Sequence, residues 1–514
     1  MSAESAGTWR SAFAALMERR AIAMLFLGFS AGLPLLLIFG TLSVWLREAG
    51  VDRATVTFFS WAALGYSFKF VWAPLVDRLP IAGLTARLGR RRGWLLLSQI
   101  ALAGALLLTS AFDPQTSLTL TAAGALIIGF CAATQDIVID AYRIESAPPE
   151  LQSMLSSMYI AGYRIGMLVG GAGALQLASA WGGEAYVYSA WRGTYQMMAL
   201  AMLVGIITTL CIPEPAHQDN HADTLHGTRA YGLFVLTFAV CAAAFVVVFS
   251  ASGASFKWLA SQLHEHHHLH RNIAGFLSES GRLVASVAGA GLAAWLCVQA
   301  KVVPAAHIRV TYIAPVADFL ERHGRTAVVV LLLIGSYRIA DIVMGAIANV
   351  FYLDAGYTKD QIATYSKFWG LWATIAGGFL GGILSLRFGV YRILFLGAVL
   401  AAVTNLLFAW LAMQEADTVL LAGVIIADNL SAGLAGAAFV AYLSSLTNVS
   451  FTAMQYALFS SIMTLLPKLL AGYSGTMVDA MGYERFFILT ALLGLPVLLL
   501  TWLAARLQRA RQNR

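Results

Sequence analysis

Long apolar blocks with few charges are the feature that most constrains the fold of this chain. Many blocks reach the roughly 20 residues that a helix needs to cross a bilayer. Only 11% of the 514 residues are charged, whereas a soluble domain has about 25%. No segment shows the alternation of polar and apolar residues that is typical of a membrane β-barrel strand. The sequence therefore predicts an all-α polytopic membrane protein, surrounded by lipid.

The apolar blocks predict fourteen spans in a six, two, six arrangement. They lie at 21–46, 55–76, 94–112, 118–139, 152–180, 191–212, 231–252, 282–300, 326–353, 361–385, 392–413, 418–443, 452–478 and 485–506. We therefore predict a six-helix bundle in residues 1–228, an inserted helix pair in 229–305 and a second six-helix bundle in 306–514. A monomer is expected.

Basic residues between the blocks indicate the orientation. Arginines crowd residues 78–92 and both ends of the chain, whereas residues 113–117 contain no Lys or Arg. Lys and Arg are enriched in short cytoplasmic loops, so both termini are predicted to be cytoplasmic. Topology then explains the basic residues behind the net charge of +7. No nucleic-acid partner is therefore expected. No short apolar core precedes Glu18, so no cleavable signal is expected either.

The cysteines and a histidine-rich run are possible metal or redox motifs, but each has a simpler explanation. The four cysteines lie in apolar blocks without metal-ligand spacing, and they are interpreted as small buried hydrophobes: Cys131, Cys211, Cys241 and Cys297. The run HEHHH at 264–268 matches the zinc-protease pattern H-E-x-x-H, but a histidine-rich run satisfies that pattern by composition. A solvated loop is expected there, with adventitious metal binding or pH sensitivity as alternatives. Neither a cofactor nor a metal nor an enzymatic activity is expected.

Ionisable side chains inside apolar blocks are the strongest functional signal. At a rise of 1.5 Å per residue, the residues nearest mid-membrane are Arg164, Arg338, Asp341, Asp428 and Asn429. Such residues usually face a bundle interior or an aqueous cavity. The deep charges are five cations and three carboxylates: Lys69, Arg164, Arg338, Lys367, Lys468, Asp136, Asp341 and Asp428. We therefore expect a net basic cavity that suits an anionic substrate.

Local pairing is the alternative for some of these charges. Arg338 and Asp341 are three residues apart, as are Asp140 and Arg143, so each pair can neutralise itself without any function. Asp136 and Asp140 share one helix face, an arrangement in which one carboxyl can hold and release a proton. Asp136 is the better candidate because it lies deeper. A gate that contacts Arg78 or the arginine-rich loop is an equally open alternative for Asp136.

A weak internal repeat supports two halves. APLVDRLP (73–80) ends the second predicted span, and GILSLRFG (382–389) ends the corresponding span of the second half. The first copy carries the candidate gate residues Asp77 and Arg78, while the second has Leu386 and Arg387 and so lacks the acid. Repeated sets of six spans are typical of the major facilitator fold.

Small and polar residues complete the candidate list. Glycines spaced four apart predict close helix packing: Gly28, Gly32, Gly162, Gly166, Gly378 and Gly382. Gln135, Tyr163, Trp369 and Asn429 are expected to hydrogen-bond or stack on sugars. Ordinary helix packing is the alternative for the aromatic residues.

Several stretches resemble one transporter family. They are GFSAGLPLLLIFGTLSVWL (28–46), TQDIVIDAYRIE (134–145), GYRIGMLV (162–169), SYRIADIVMGAIANVFYLDAGY (336–357) and TNVSFTAMQYALFSS (447–461). In these stretches the chain resembles the AmpG-type muropeptide permeases of the major facilitator superfamily. The resemblance implies proton-driven import of GlcNAc-1,6-anhydroMurNAc and its peptides across the bacterial inner membrane, for peptidoglycan recycling and β-lactam resistance. The inserted pair 229–305 has no counterpart in the family's twelve-span core.

Two other functions stay open at this point. Related families share the fold, so a carrier for acetyl-CoA or for an amphiphilic drug is one alternative. A membrane enzyme or sensor on a transporter scaffold is the other, and it depends on the HEHHH run.

Overall fold

The computed structural model describes residues 18–51, 66, 68–183, 186–215, 228–266, 271–471 and 473–512. In these ranges the protein is helical apart from turns and short loops, and thirteen segments are long and apolar enough to cross a membrane. They match every predicted span except 55–76, most of which falls outside the described residues. The all-α prediction is confirmed, and the protein is a multi-pass membrane protein.

The first half contains ten described helices. They are α1 (Arg19–Ile38), α2 (Gly40–Glu48), α3 (Ala73–Arg78), α4 (Leu84–Leu88), α5 (Arg90–Ser110), α6 (Pro114–Ser146), α7 (Gln152–Leu168), α8 (Ala174–Gly182), α9 (Tyr188–Ala201) and α10 (Leu203–Cys211). Asp113 begins α6, because its carboxylate accepts the N–H of Gln115 at 2.9 Å and Pro114 occupies the first helical position. Gly89, with φ of 89°, turns the chain from α4 into α5.

Residues 219–321 form a separate compact unit. Its described helices are α11 (Thr228–Ala251), α12 (Gly253–Glu265), α13 (Arg271–Gln299), α14 (Ala305–Ile308) and α15 (Ala314–His323), the last of which ends just beyond the unit. Helices α11 and α13 pack as an antiparallel hairpin. The guanidinium of Arg282 lies 3.8 Å from the ring centre of Phe249 and donates to the Phe249 carbonyl at 2.9 Å, close to where α11 ends. His264 and Glu265 end α12, whereas His267 and His268 of the HEHHH run lie outside the described residues.

The last eight helices belong to the second half. They are α16 (Thr326–Ser336), α17 (Ile339–Asp354), α18 (Lys359–Ile362), α19 (Gly370–Phe388), α20 (Val390–Leu411), α21 (Thr418–Leu446), α22 (Thr452–Ala471) and α23 (Ser474–Gln512). Residues 322–514 form one compact unit with residues 1–218. The three-part division at residues 228 and 305 stays a prediction.

One cysteine departs from its interpretation as a buried hydrophobe. Cys131 is buried and Cys241 and Cys297 are half-buried, but Cys211 is exposed at the end of α10. The composition of an apolar block does not tell which of its faces meets lipid, so this prediction is wrong for Cys211.

Glycines bring two pairs of helices into backbone contact. A methyl group on Gly162 of α7 would lie 1.8 Å from the Leu25 carbonyl oxygen of α1, and Gly28, Gly32 and Gly166 are equally crowded along the same seam. In the second half, a methyl group on Gly377 of α19 would lie 2.0 Å from the Leu430 carbonyl oxygen of α21. Only glycine permits such close approach.

Gly378 and Gly382 face the other half of the molecule. The carbonyl of Gly378 accepts a hydrogen bond from Ser157 of α7 at 2.7 Å. A methyl group on Gly382 would lie 2.3 Å from the Ser157 hydroxyl oxygen. These two predicted packing glycines therefore lie at the contact between the halves.

Candidate functional site

Four charged side chains form a buried chain of contacts, called here the charged quartet (Lys69, Asp136, Asp140 and Arg143). The ammonium of Lys69, on the turn before α3, lies 3.4 Å from Asp136 Oδ2 and 3.5 Å from Asp140 Oδ2. The guanidinium of Arg143 lies 3.3 Å from Asp140 Oδ1. All four residues are buried, and buried charges persist where they are paired. The quartet therefore explains why α6 carries carboxylates inside an apolar segment.

The quartet is held by both halves of the molecule. The Tyr159 hydroxyl of α7 donates to Asp136 Oδ1 at 2.9 Å. From the opposite side, Arg143 donates to the Ser444 hydroxyl of α21 at 2.7 Å and lies 5.1 Å from the ring centre of Tyr456 on α22. The side-chain partners described for Asp136 are thus Lys69 and Tyr159, and the contact with Arg78 considered from the sequence is not among them.

A second group of buried charges, called here the gate cluster, consists of Asp77, Arg91 and Glu145. Arg91 lies 2.8 Å from Asp77 Oδ1 and donates through Nε to Glu145 Oε2 at 2.9 Å. The Asp77 carboxylate also accepts the backbone N–H groups of Ala453 and Met454 at 3.1 and 2.9 Å. Those groups have no partner within their own helix, and the positive end of a helix dipole favours a carboxylate. Asp77 therefore caps α22 of the other half.

Among the described residues, several contacts between the two halves lie at one end of the bundle, called here the contact end (residues 69–78, 143–157 and 444–456). The helices that join the halves are chiefly α3, α6 and α7 on one side and α19, α21 and α22 on the other. Arg78 contributes there by lying 5.8 Å from the ring centre of Phe451. In the topology predicted from the arginines, this is the cytoplasmic end.

Two arginines from opposite halves lie outside the contact end and act on each other electrostatically. Arg164 lies on α7, and Arg338 lies at the break between α16 and α17. Both are half-buried, and they are close enough to repel each other electrostatically. Within the described ranges neither arginine has a salt bridge. Arg338 and Asp341 interact through space, but they do not form the close ion pair that their spacing allows.

Two carboxylates inside apolar helices of the second half, Asp341 and Asp428, act on each other. Asp428 and Asp341 interact electrostatically, and Thr404 donates to Asp428 at 3.0 Å. Asn429 is engaged in packing, because it accepts from Thr374 at 2.9 Å and donates to the Ile425 carbonyl at 2.9 Å. The carboxylates of Asp341 and Asp428 thus form a polar patch near the helix break at Arg338. Broken helices are common at transporter binding sites.

The remaining candidates are placed less centrally. Gln135 is fully buried and accepts from Ser30 at 3.0 Å, so no ligand reaches it in this conformation. Tyr163 is half-buried with its ring 5.8 Å from that of Tyr159. Trp369 is exposed and packs edge-on against Phe368. Lys468 is also exposed, and the side chain of Lys367 lies outside the described residues.

Sequence reasoning missed the partners of these charges. In the sequence, Arg91 is only one of the arginines that indicate topology, and Glu145 does not stand out. Arg143 is recognisable only as a local partner of Asp140. The sequence gives no signal that Ser444, 301 residues away, completes the surroundings of Arg143. The one available hint was the presence of charged residues within an apolar helix.

The comparisons with known proteins decide the family. Residues 21–317 match the sequence model of the Major Facilitator Superfamily. The chain is 31% identical over 481 residues to the putative transporter AmpG 4 of Rickettsia conorii, covering 94% of this chain and 95% of that protein. It is 30% identical over 484 residues to the anhydromuropeptide permease of Escherichia coli K12, covering 94% and 79%.

The chain belongs to the AmpG-type permeases of the Major Facilitator Superfamily.

Solved structures of the Major Facilitator Superfamily share its fold. The proton:xylose symporter XylE, bound to 6-bromo-6-deoxy-D-glucose, has a TM-score of 0.57 at 12% identity over 96% of both chains. FucP in the outward conformation has a TM-score of 0.57 at 13% identity, covering 94% of this chain and 97% of its own. The predicted major facilitator fold and the resemblance to AmpG-type permeases are therefore both confirmed.

Proposed function

We propose that this AmpG-type protein imports GlcNAc-1,6-anhydroMurNAc and its peptides across the bacterial inner membrane, together with protons. The similarity to the E. coli anhydromuropeptide permease over 94% of the chain supports this substrate class. The observation that carries the proposal is the arginine pair, Arg164 and Arg338, which comes from opposite halves and is half-buried. Import of such peptides feeds peptidoglycan recycling and so affects β-lactam resistance.

An anionic substrate relieves the repulsion between the two arginines. Each guanidinium can hold a carboxylate through two parallel hydrogen bonds, and muropeptides carry carboxylates on their peptide stem. We assign the sugar rings to the remaining polar and aromatic candidates, some of which are buried or lie away from the arginine pair in this conformation and would act only after rearrangement: Lys69, Gln135, Tyr163, Asp341, Trp369, Asp428 and Asn429.

Proton coupling is placed on the carboxylates of the charged quartet. Asp136 and Asp140 are four residues apart and share Lys69, so a proton on either one changes the charge of a buried group. Asp77 and Arg78 form the gate, because both contact the first turn of α22 or the turn just before it. We place both termini and the contact end in the cytoplasm, and the two halves rock about the arginine pair.

Uptake into right-side-out vesicles with an imposed pH gradient tests the proposal. Labelled anhydro-disaccharide peptide is expected to accumulate only when the outside is acidic. The variant Asp136→Asn is expected to lose this dependence on the gradient, while Asp479→Asn, at an exposed carboxylate, keeps it. If uptake by Asp136→Asn still depended fully on the pH gradient, Asp136 would have no role in proton coupling.

A carrier for another anion is the second candidate, because the arginine pair suits any substrate with carboxylate or phosphate groups. Competition distinguishes the two: unlabelled anhydro-muropeptide is expected to block uptake of the labelled peptide, whereas acetyl-CoA is not. The enzyme alternative is tested by changing His264, Glu265 and His268 together, which is expected to leave uptake unchanged.

A further inference from the structure

The Nη1 group of Arg143 has hydrogen-bond acceptors in both halves of the molecule. Its Nη1 group donates to Gln152 Oε1 at 3.3 Å and to the Ser156 hydroxyl at 3.1 Å, both in the first half. The same group also reaches the Ser444 hydroxyl of the second half, and this is the shortest of its contacts at 2.7 Å. If Ser444 moved away, the fully buried arginine would still keep its own-half partners. The contact across the halves can therefore be broken while the Nη1 group keeps two hydrogen-bond partners in its own half.

The charge balance around Arg143 depends on the ionisation of its neighbour Asp140. With both carboxylates ionised, the quartet has two positive and two negative charges. The ionisable groups that interact with Asp140 come from the turn before α3 and from α6, α7 and α22: Lys69, Asp136, Arg143, Tyr159, Tyr163 and Tyr456. One proton on Asp140 leaves a cation in excess in a buried place, and an unpaired buried charge is strongly unfavourable.

We propose that Arg143 transmits the protonation of Asp140 to the contact between the two halves. This inference deepens the proposed proton-coupled transport and rests on it. While Asp140 is ionised, it holds Arg143 in the position from which Arg143 binds Ser444, and the contact end stays closed. When Asp140 takes up a proton from the outer side, the attraction is lost, the excess positive charge favours hydration, and the contact end opens. The proton then leaves to the cytoplasm through the opened end.

The test measures opening of the contact end against pH, without substrate. Spin labels on cysteines replacing Glu150 and Val449, two residues with exposed side chains in turns of opposite halves, report the distance in nanodiscs after the four native cysteines are removed. In the otherwise unchanged protein, the long-distance population is expected to grow as the pH falls from 8 to 5.

Ser444→Ala is the informative variant, and Ser445→Ala is its matched control, because the Ser445 hydroxyl donates to Tyr442 within its own half. Loss of a hydrogen bond to a charged group changes an equilibrium about tenfold or more, so Ser444→Ala is expected to raise the midpoint of opening by about one pH unit. Ser445→Ala is expected to leave the midpoint in place. Arg143→Lys keeps the charge but cannot hold Asp140 and Ser444 together, and it is expected to act like Ser444→Ala.

Asp140→Asn is expected to give an open contact end at every pH. The inference is overturned if Ser444→Ala and Arg143→Lys behave like Ser445→Ala, or if Asp140→Asn opens with the pH dependence of the unchanged protein. Because no muropeptide is added, failure of muropeptide uptake would overturn the proposed substrate and leave this measurement intact. If muropeptide uptake were normal but the distance between the spin labels did not change with pH, only the role of Arg143 would be overturned.

Discussion

Some buried charged side chains in this molecule form close ion pairs, and others do not. The quartet and the gate cluster pair each cation with carboxylates at 2.5 to 3.5 Å, so they need no ligand. Arg164 and Arg338 have no close ion pair among the described residues, although Asp341 acts on Arg338 through space, and they repel each other. An anion bound between two such cations would be stabilised, which is the physical reason to propose substrate at this pair.

Arg164→Gln is expected to separate binding from stability. Removing one of two repelling cations leaves the thermal stability of the empty protein unchanged or higher. Binding of an anionic muropeptide is expected to weaken about tenfold or more, because a hydrogen bond to a charged group is lost. Thermal unfolding with and without the peptide measures both quantities. Arg485→Gln, at an exposed arginine on α23, is the control, and equal loss of affinity in both variants would contradict the assignment.

The sequence was sufficient to identify these residues but insufficient to pair them. A charge inside an apolar block is visible in one dimension, which is why Lys69, Asp136, Arg164 and Arg338 were candidates from the start. Pairing depends on which helix faces which, and hydropathy does not carry that information. The expectation of a local Arg338–Asp341 pair shows the limit, since the structure leaves those groups apart while it does form the pair of Asp140 with Arg143.

At the scale of elements, each half contains a helix pair held together by glycines among its described residues. Helices α1 and α7 meet along Gly28, Gly32, Gly162 and Gly166, and α19 meets α21 along Gly377 and Gly381. Most span boundaries were predicted within a few residues, because hydropathy records length and polarity. The exceptions are ends where polar residues continue or interrupt a helix: α6 extends to Ser146 beyond the predicted end at 139, and α23 begins at Ser474 well before the predicted start at 485. The face of GGFLGG (377–382) that meets α21 was not predicted, because both glycine pairs have the same spacing and successive residues lie about 100° apart on a helix.

Neighbouring glycines of α19 give a matched test of this packing. Gly377→Ala is expected to destabilise the protein by about 1 to 3 kcal/mol, the range for overpacking, because its methyl group would lie 2.0 Å from the Leu430 carbonyl oxygen. Gly378→Ala is expected to be tolerated, since the nearest atom, the Gly433 carbonyl oxygen, is 4.0 Å away. Fluorescence-detected thermal unfolding of both variants checks this. A lower melting temperature for Gly378→Ala than for Gly377→Ala would show that the packing face has been misassigned.

At the scale of the whole molecule, the contact end joins two halves that each have their own interior. Trp45 stacks on Trp191 in the first half with ring centres 5.8 Å apart, and Phe351 packs edge-on against Phe487 in the second with ring centres 5.0 Å apart. The links between the halves are smaller and mostly polar. Asp77 accepts hydrogen bonds across the contact, Arg143 and Ser157 donate them, and an arginine lies over the Phe451 ring. A small apolar cluster of Met154 and Ile383 also spans the halves. The polar contacts can be exchanged for water, so separation here exposes this small cluster and leaves the interior of each half covered.

The cap that Asp77 places on α22 makes this end sensitive to a single charge. Asp77→Asn keeps the size of the side chain but removes its attraction to Arg91 and to the positive end of α22. Loss of such interactions is expected to cost the closed contact end about 1.5 to 3 kcal/mol, which raises the open population about tenfold or more at neutral pH.

Alkylation of a single cysteine replacing Ser153 at the contact end, in a background without native cysteines, measures that population, because the side chain is buried while the end is closed. Asp113→Asn is the control: Asp113 also caps a helix, α6, but within its own half. Asparagine caps a helix about as well as aspartate does, so this variant is expected to change thermal stability little and to leave alkylation slow. Faster alkylation in Asp113→Asn than in Asp77→Asn would mean that general loosening, and not the cap between the halves, keeps this end shut.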